Sequence, residues 1–233
     1  MSPPPPERSQ GEAAPDLSGV DTWLFDLDNT LYPHDVGVLA RVEARILEYF
    51  VRLTGLPAAE AWALQTRYFD AHGSAVPGLV IHHDVDPHDF LSFAHDVHLD
   101  DLVPDARLRD ALQRLPGRRL VFTNGSARHA ERVLEKLGLA DLFEDVFHAE
   151  AADLVAKPDP RAFERLIRRH DVRPHDTAFF EDRAVNLRPA ARLGMTTVLV
   201  GPEAEASTDA FVHHRTGDLA RFLLSARLRE PDA

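Results

Sequence analysis

The sequence predicts an α/β protein of three layers, a parallel sheet covered by helices on both faces, with a smaller all-helical domain inserted after the first strand. Three observations predict it. Short β-rich runs alternate with amphipathic segments through the second half of the chain. The stretch 35–100 carries helical periodicity without a convincing strand. Most of the β-rich runs end in polar or charged residues, as expected where the carboxyl ends of parallel strands face a ligand.

Taken in order, residues 1–19, "MSPPPPERSQGEAAPDLSG", form a Pro-rich lead-in expected to be disordered, without the basic start and apolar stretch of a signal peptide. The α/β core is expected over 20–34 and 101–228. "TWLFDL", from Thr22, is its first strand. The helical insertion follows over 35–100, with Leu39, Val42, Ile46, Phe50 and Leu53 on one face, then Ala61, Trp62, Gln65, Tyr68 and Phe69, then Phe90, Leu91, Ala94 and Val97. "TGLP" and "HGSAVPG" read as breaks between these helices. Further strands are expected at "RLVFT" (119–123), "DVFH" (145–148), "TAFFE" (177–181) and "TTVLV" (196–200). Between them, Ala130, Val133, Leu134 and Leu137 share a helical face that Gly138 closes. Asp159 and Pro160 make a cap and first-position pair for a second helix. A third ends at Gly194 and tolerates Pro189 only in its first turn. A last helix over 216–225 packs Leu219, Phe222 and Leu223.

Composition excludes several functions. With 26 basic and 38 acidic residues the formal charge is -12, unsuited to a nucleic-acid polymer or an anionic membrane surface. There is no cysteine, which removes disulfides and thiolate metal sites. No apolar run approaches the roughly 18 residues of a membrane span, so a soluble, cytoplasmic protein is expected. Among the 26 basic residues only Lys136 and Lys157 are lysines.

The polar residues at the strand ends carry the chemistry. Asp26 and Asp28 stand at i and i+2 and address one space. Thr123 leads into Asn124, Gly125 and Ser126 ahead of a helix N-terminus, a natural phosphate cradle. Lys157 lies in "LVAKPDP", and Glu181-Asp182 end "TAFFE". Four carboxylates on one rim repel one another unless a cation neutralises some of them. Magnesium suits an all-oxygen set that also leaves room for water and a phosphate oxygen; without Cys or His in the set, zinc does not. Lys157 supplies a compact charge, for a phosphate or for an aspartate. Each signal has a plainer alternative: a capping Glu-Asp pair, a strand threonine, a solvated loop lysine. Asn186 reads as a helix cap or as a hydrogen-bonding neighbour of the acidic group.

"FDLDNTLYP", "FTNG", "KPDP" and "FFEDRAVNL", in that order, resemble the four motifs of the haloacid dehalogenase-like (HAD) superfamily over essentially residues 20–225. The wording "DLDNTLYP", "FTNGS" and "FFEDRAVNL" is further similar to the pyrimidine 5′-nucleotidase branch. The resemblance implies a Rossmann-like core with the insertion as a cap. It implies Asp26 as nucleophile forming an aspartyl-phosphate, Asp28 as acid and then base, and Thr123 and Lys157 holding the phosphoryl oxygens. Asp182 would bind Mg2+ with the Asp26 carboxylate and the Asp28 main-chain carbonyl, and Glu181 directly or through water. Dehalogenases of the superfamily lack the second aspartate and need no magnesium, so Asp28 and Glu181-Asp182 favour phosphate chemistry.

The expected function is a magnesium-dependent phosphomonoesterase for nucleoside 5′-monophosphates, pyrimidine ones first. The alternatives are a phosphatase for another small metabolite, such as a sugar phosphate or phosphoglycolate, and a non-catalytic module that binds a phosphorylated ligand. The expected partner is a small phosphorylated metabolite; the oligomeric state is open. Tyr32, His34 and Tyr68 are candidates for stacking on a base, although Tyr68, Phe69, Phe90 and Phe93 serve equally as core of the insertion. His95 and His98 read as solvated helix histidines in preference to a metal pair. Arg128 and Arg183 either meet substrate or are surface charge.

Overall fold

The computed structural model describes residues 14–229. Six parallel strands form one sheet: β1 Thr22–Phe25, β2 Arg118–Phe122, β3 Asp145–Phe147, β4 Thr177–Glu181, β5 Thr196–Val200 and β6 His214–Thr216, in the order β3-β2-β1-β4-β5-β6. This is the parallel-sheet α/β core that the sequence predicts. The chain winds outward from β1 to β3, then returns to place β4 on the other side of β1. Winding therefore reverses beside β1, which opens a crevice at the carboxyl ends of β1, β2 and β4.

β1 is followed by four helices, α1 Val38–Thr54, α2 Ala58–His72, α3 Val76–His83 and α4 Pro87–Ala94, ahead of a fifth that leads into β2. The others are α5 Ala106–Gln113, α6 Ala127–Leu137, α7 Pro160–His170, α8 Ala184–Arg192, α9 Glu203–Ala206 and α10 Leu219–Ser225. None of the described helices is long and apolar enough to cross a membrane.

Alternation along the strands divides the core. Trp23, Phe25, Val121 and Phe180 face Val133 and Leu134 of α6 and Leu219, Phe222 and Leu223 of α10. Leu24, Leu120, Phe122 and Phe179 face Phe163 and Leu166 of α7 and Leu187 of α8. Every residue of β1 is buried, because helices cover both faces. Phe25 and Phe180, paired across β1 and β4, stack with ring centroids 4.6 Å apart. A third cluster, around Phe50, Ala61, Leu79, Phe90 and Leu91, gives α1–α4 a core of their own. Two helix starts at the sheet rim are capped as their sequences require. Ser126 Oγ accepts the His129 N–H at 3.3 Å, and Asp159 Oδ1 accepts the Arg161 N–H at 2.9 Å ahead of Pro160.

Several expectations are corrected. The lead-in expected over 1–19 falls outside the described residues up to 13. Its remainder is ordered: Leu17 is 1% exposed and Asp16 bridges to Arg227, because the apolar Leu17 and Val20 reach the core around α10. Pro189 stands inside α8, beyond the first turn; its missing N–H frees the Val185 carbonyl, on a residue that is 41% exposed. Asn186 caps nothing. The N-cap is Arg183, and the buried Asn186 Oδ1 has no partner among the described residues. Trp62 is 58% exposed, on the outer face of α2. The break at "HGSAVPG" ends as α3 begins at Val76, with Pro77 in its first turn, where a proline is tolerated.

Phe180→Ala removes a fully buried ring that also touches Trp23 and Phe222. It is expected to destabilise the protein by roughly 3–5 kcal/mol. Chemical denaturation checks this; a loss under about 1 kcal/mol would mean that the β1–β4 stack does not organise the core.

Candidate active site

The main-chain N–H of Asp26 continues the ladder past β1 and donates to the Phe180 carbonyl at 2.8 Å, which fixes its side chain at the rim. Lys157 Nζ lies 2.7 Å from Asp26 Oδ1, 2.7 Å from Glu181 Oε2 and 2.7 Å from the Phe122 carbonyl. An ammonium has three donors, and all three are used. The plainer alternative of a solvated loop lysine is thereby excluded: its side chain is 1% exposed, against the rings of Phe122 and Phe179. Asn124 holds the lysine's backbone, accepting from the Lys157 N–H at 2.8 Å and donating to its carbonyl at 3.1 Å. The Asn124 side chain is thus spent on the Lys157 loop. Thr123 Oγ1 accepts the Gly125 N–H at 2.9 Å, which leaves the hydroxyl hydrogen for another acceptor. A Cβ at Gly125 would lie 3.2 Å from Thr123 Oγ1 and 3.7 Å from Asp28 Oδ2, so glycine keeps this corner open. The Ser126 side chain is taken up as the cap of α6.

Carboxylate oxygens of Asp26, Glu181 and Asp182 lie within 4.8 Å of one another. Burial and the neighbouring Glu181 raise Asp26 to about 7, even beside Lys157. Burial, Glu181 and Asp26 raise Asp182 to about 9. Burial disfavours the charge on Lys157, but Asp26 and Glu181 outweigh it and raise its proton affinity. One ammonium thus faces three acids, an excess that a divalent cation would neutralise. The donors are all oxygen, the set that magnesium prefers. The residues present fit that ion. Asn29, in the left-handed region at φ 60, donates to Asp182 Oδ2 at 3.3 Å; sequence reasoning missed it, although an asparagine directly after "DLD" signals such a turn.

Asp28 is directed elsewhere. Its Oδ1 receives the Tyr32 hydroxyl at 2.5 Å and lies 2.8 Å from His129 Nε2. Burial pushes the Asp28 carboxyl up, but the charge and hydrogen bond of His129 outweigh it and hold it below the usual range. Burial and the Asp28 charge push the Tyr32 hydroxyl up. Tyr32 therefore serves Asp28, not a base. His95 is not solvated: its ring stacks on His129 with centroids 4.6 Å apart. Burial and His129 lower it to about 4, so it is neutral near pH 7. His98 does face solvent, 61% exposed. Sequence reasoning also missed His129. It stands four residues before Val133 and eight before Leu137, on the inward face of α6. A cavity of about 670 Å³ opens beside His129 and Ser126, walled by Arg45, Tyr49, Phe93 and Arg128. Arg183 caps the Phe69 ring at 5.0 Å, a contact between the α8 start and α2.

Residues 20–194 match the family described as haloacid dehalogenase-like hydrolase, and the chain belongs to that family. Phosphate metabolism protein 8 of Saccharomyces cerevisiae is 29% identical over 197 residues, 76% of this chain and 60% of that protein. Glyceraldehyde 3-phosphate phosphatase of Methanopyrus kandleri is 29% identical over 197 residues, 76% of this chain and 82% of that protein. Among solved structures, the haloacid dehalogenase-like protein SP0104 of Streptococcus pneumoniae superposes with a TM-score of 0.57 at 13% identity, over 88% of this chain and 98% of that one. The 2-haloacid dehalogenase of Pseudomonas syringae pv. Tomato gives 0.54 at 23% identity, over 88% and 98%. At such identities the structures speak for the fold alone.

The raised acids set a pH dependence. Asp26 and Asp182 hold protons above the ordinary carboxylate range when folded, so without metal their contribution to stability falls as pH rises through about 7 and about 9. A cation needs the ionised forms and stabilises only the folded state. Magnesium is therefore expected to raise the thermal midpoint more at pH 9 than at pH 6. Thermal unfolding with and without magnesium checks this, and equal shifts at the two pH values would contradict it.

Proposed function

We propose that the protein is a magnesium-dependent phosphomonoesterase that works through an aspartyl-phosphate on Asp26 and hydrolyses nucleoside 5′-monophosphates, pyrimidine ones first. One observation carries the reaction type: two aspartates, two residues apart, one buried and one half-buried, stand in opposite environments. Asp26 is bound to Lys157 within the acidic cluster; Asp28 stands clear of the cluster with one oxygen free. Such a pair suits a nucleophile and a separate proton carrier. The printed names of the two relatives, a phosphate metabolism protein and a phosphatase, support the class. The branch-like wording of "DLDNTLYP" supports nucleotides.

In the first step a carboxylate oxygen of Asp26 bonds to phosphorus as the bond to the leaving oxygen breaks, and Asp28, once it has taken up a proton against the hold of His129 and Tyr32, gives that proton to the leaving oxygen. In the second, water bonds to phosphorus and passes a proton to Asp28. The Asp26–phosphorus bond breaks and inorganic phosphate leaves. Thr123 donates to a phosphoryl oxygen. Lys157, its donors already engaged, contributes charge beside Asp26. A magnesium ion held by Asp26, Asp182 and the Asp28 carbonyl, with Glu181 close by, would supply positive charge against the transferring phosphoryl.

The name of the M. kandleri relative favours a second reading, a phosphatase for another small phosphometabolite. Phosphate release from uridine and cytidine monophosphates, sugar phosphates and phosphoglycolate, with and without magnesium, separates the two. Fast turnover of a sugar phosphate with inert pyrimidine nucleotides would overturn the nucleotide assignment. Asp26→Asn is expected to lower turnover by roughly 10³-fold or more in a folded protein; activity close to the parent's would remove Asp26 as the nucleophile.

A further inference from the structure

The reaction requires Asp28 to give and take a proton at one place, yet a carboxylate has two equivalent oxygens and turns about its last side-chain bond. Two donors meet on Oδ1: the Tyr32 hydroxyl at 2.5 Å and His129 Nε2 at 2.8 Å. An ionised carboxylate only accepts, so Nε2 carries hydrogen. The other oxygen, Oδ2, lies on the side of Thr123 and Gly125, 3.7 Å from where a Gly125 Cβ would stand. His129 is itself immobilised. Its main-chain N–H donates to Ser126 Oγ at 3.3 Å in the first turn of α6, and its side chain is fully buried. The His95 ring lies against it, and that ring is held by an Nδ1–H bond to the Leu91 carbonyl at 2.9 Å. Arg132 ties the same stretch to α6 through the His95 and Val97 carbonyls, at 3.1 and 2.7 Å.

We propose that His129 is a positioning residue of the reaction: with Tyr32 it pins Oδ1 of Asp28, so that Oδ2 alone exchanges the proton at the Thr123–Gly125 corner. His129 does not touch the reacting atoms; it acts through Asp28. The inference rests on the reading of Asp28 as acid and base given above. Through the His95 stack it also makes α4, one of the inserted helices, part of the support of a core residue.

The test compares two leaving groups of similar shape. Phenyl phosphate needs a proton on its leaving oxygen more than 4-nitrophenyl phosphate does. Single-turnover release of the phenol, measured on the full chain with magnesium, reports the first step alone. His129→Phe is expected to slow release from phenyl phosphate by on the order of tenfold more than from 4-nitrophenyl phosphate, with half-saturation little changed. His129→Gln, which keeps an N–H near the Nε2 position, should recover most of that difference. Equal losses on the two esters, or no loss, would overturn the proposal, because a merely structural histidine would not discriminate between them. Should His129→Phe fail to fold, Tyr32→Phe deletes the other donor to Oδ1, together with the acceptor that its oxygen gives the Asn29 main chain; it should shift the ratio in the same direction by less, and an unchanged ratio overturns the proposal. Asp28→Asn separates the two levels. If it is inactive while His129→Phe is not impaired, the positioning role alone falls; if Asp28→Asn keeps parental activity, the reading of Asp28 falls with it.

Discussion

The arrangement depends on one buried ammonium. Lys157 joins the ends of three neighbouring strands, touching Asp26 after β1, the Phe122 carbonyl at the end of β2 and Glu181 at the end of β4. Taking such a charge out of water costs several kcal/mol, and it persists there because every donor has a partner. Removing the amine would leave two carboxylates facing each other without compensation. A lysine suits the place better than an arginine: its charge is compact and tetrahedral, and three acceptors converge on a point, not on a plane. That explains one of only two lysines in a chain that otherwise uses arginine.

Around this centre the protein builds two chemically different aspartates from one short motif. Asp26 shares its space with Glu181 and Asp182, and its proton affinity rises. Asp28 has turned toward Tyr32 and His129, and its proton affinity falls. Successive carboxylates are thus set apart by their neighbours and not by their own chemistry. The inserted helices take part in this difference. His95, at the end of α4, packs on the histidine that holds Asp28, and Phe69 of α2 receives Arg183.

Much of this was legible in the sequence. Strand ends announce themselves where an apolar run meets a charge, so Asp26, Thr123 and Glu181 could be placed on one rim before any coordinates. Gly138 and Asp159 declared the end of one helix and the start of the next by capping chemistry. What stayed hidden involves partners from different elements. Helical periodicity puts position 129 on the inner face of α6, but not opposite Asp28, 101 residues earlier. His95 looked solvated for the same reason. The strand β6 was missed because it is three residues long, paired on one side only and without an apolar run. Trp62 misled because an aromatic residue on a helix reads as core when nothing else is known.

The central claim is that the Asp26 carboxylate, charged beside Lys157, takes the phosphoryl group. Acid quenching within the first turnovers with 4-nitrophenyl phosphate, followed by peptide mass mapping, tests it directly. The account predicts a phosphoryl mass on the peptide that carries Asp26, lost on incubation with hydroxylamine. A phosphoryl group on a different residue, or none on the protein during rapid turnover, would contradict it.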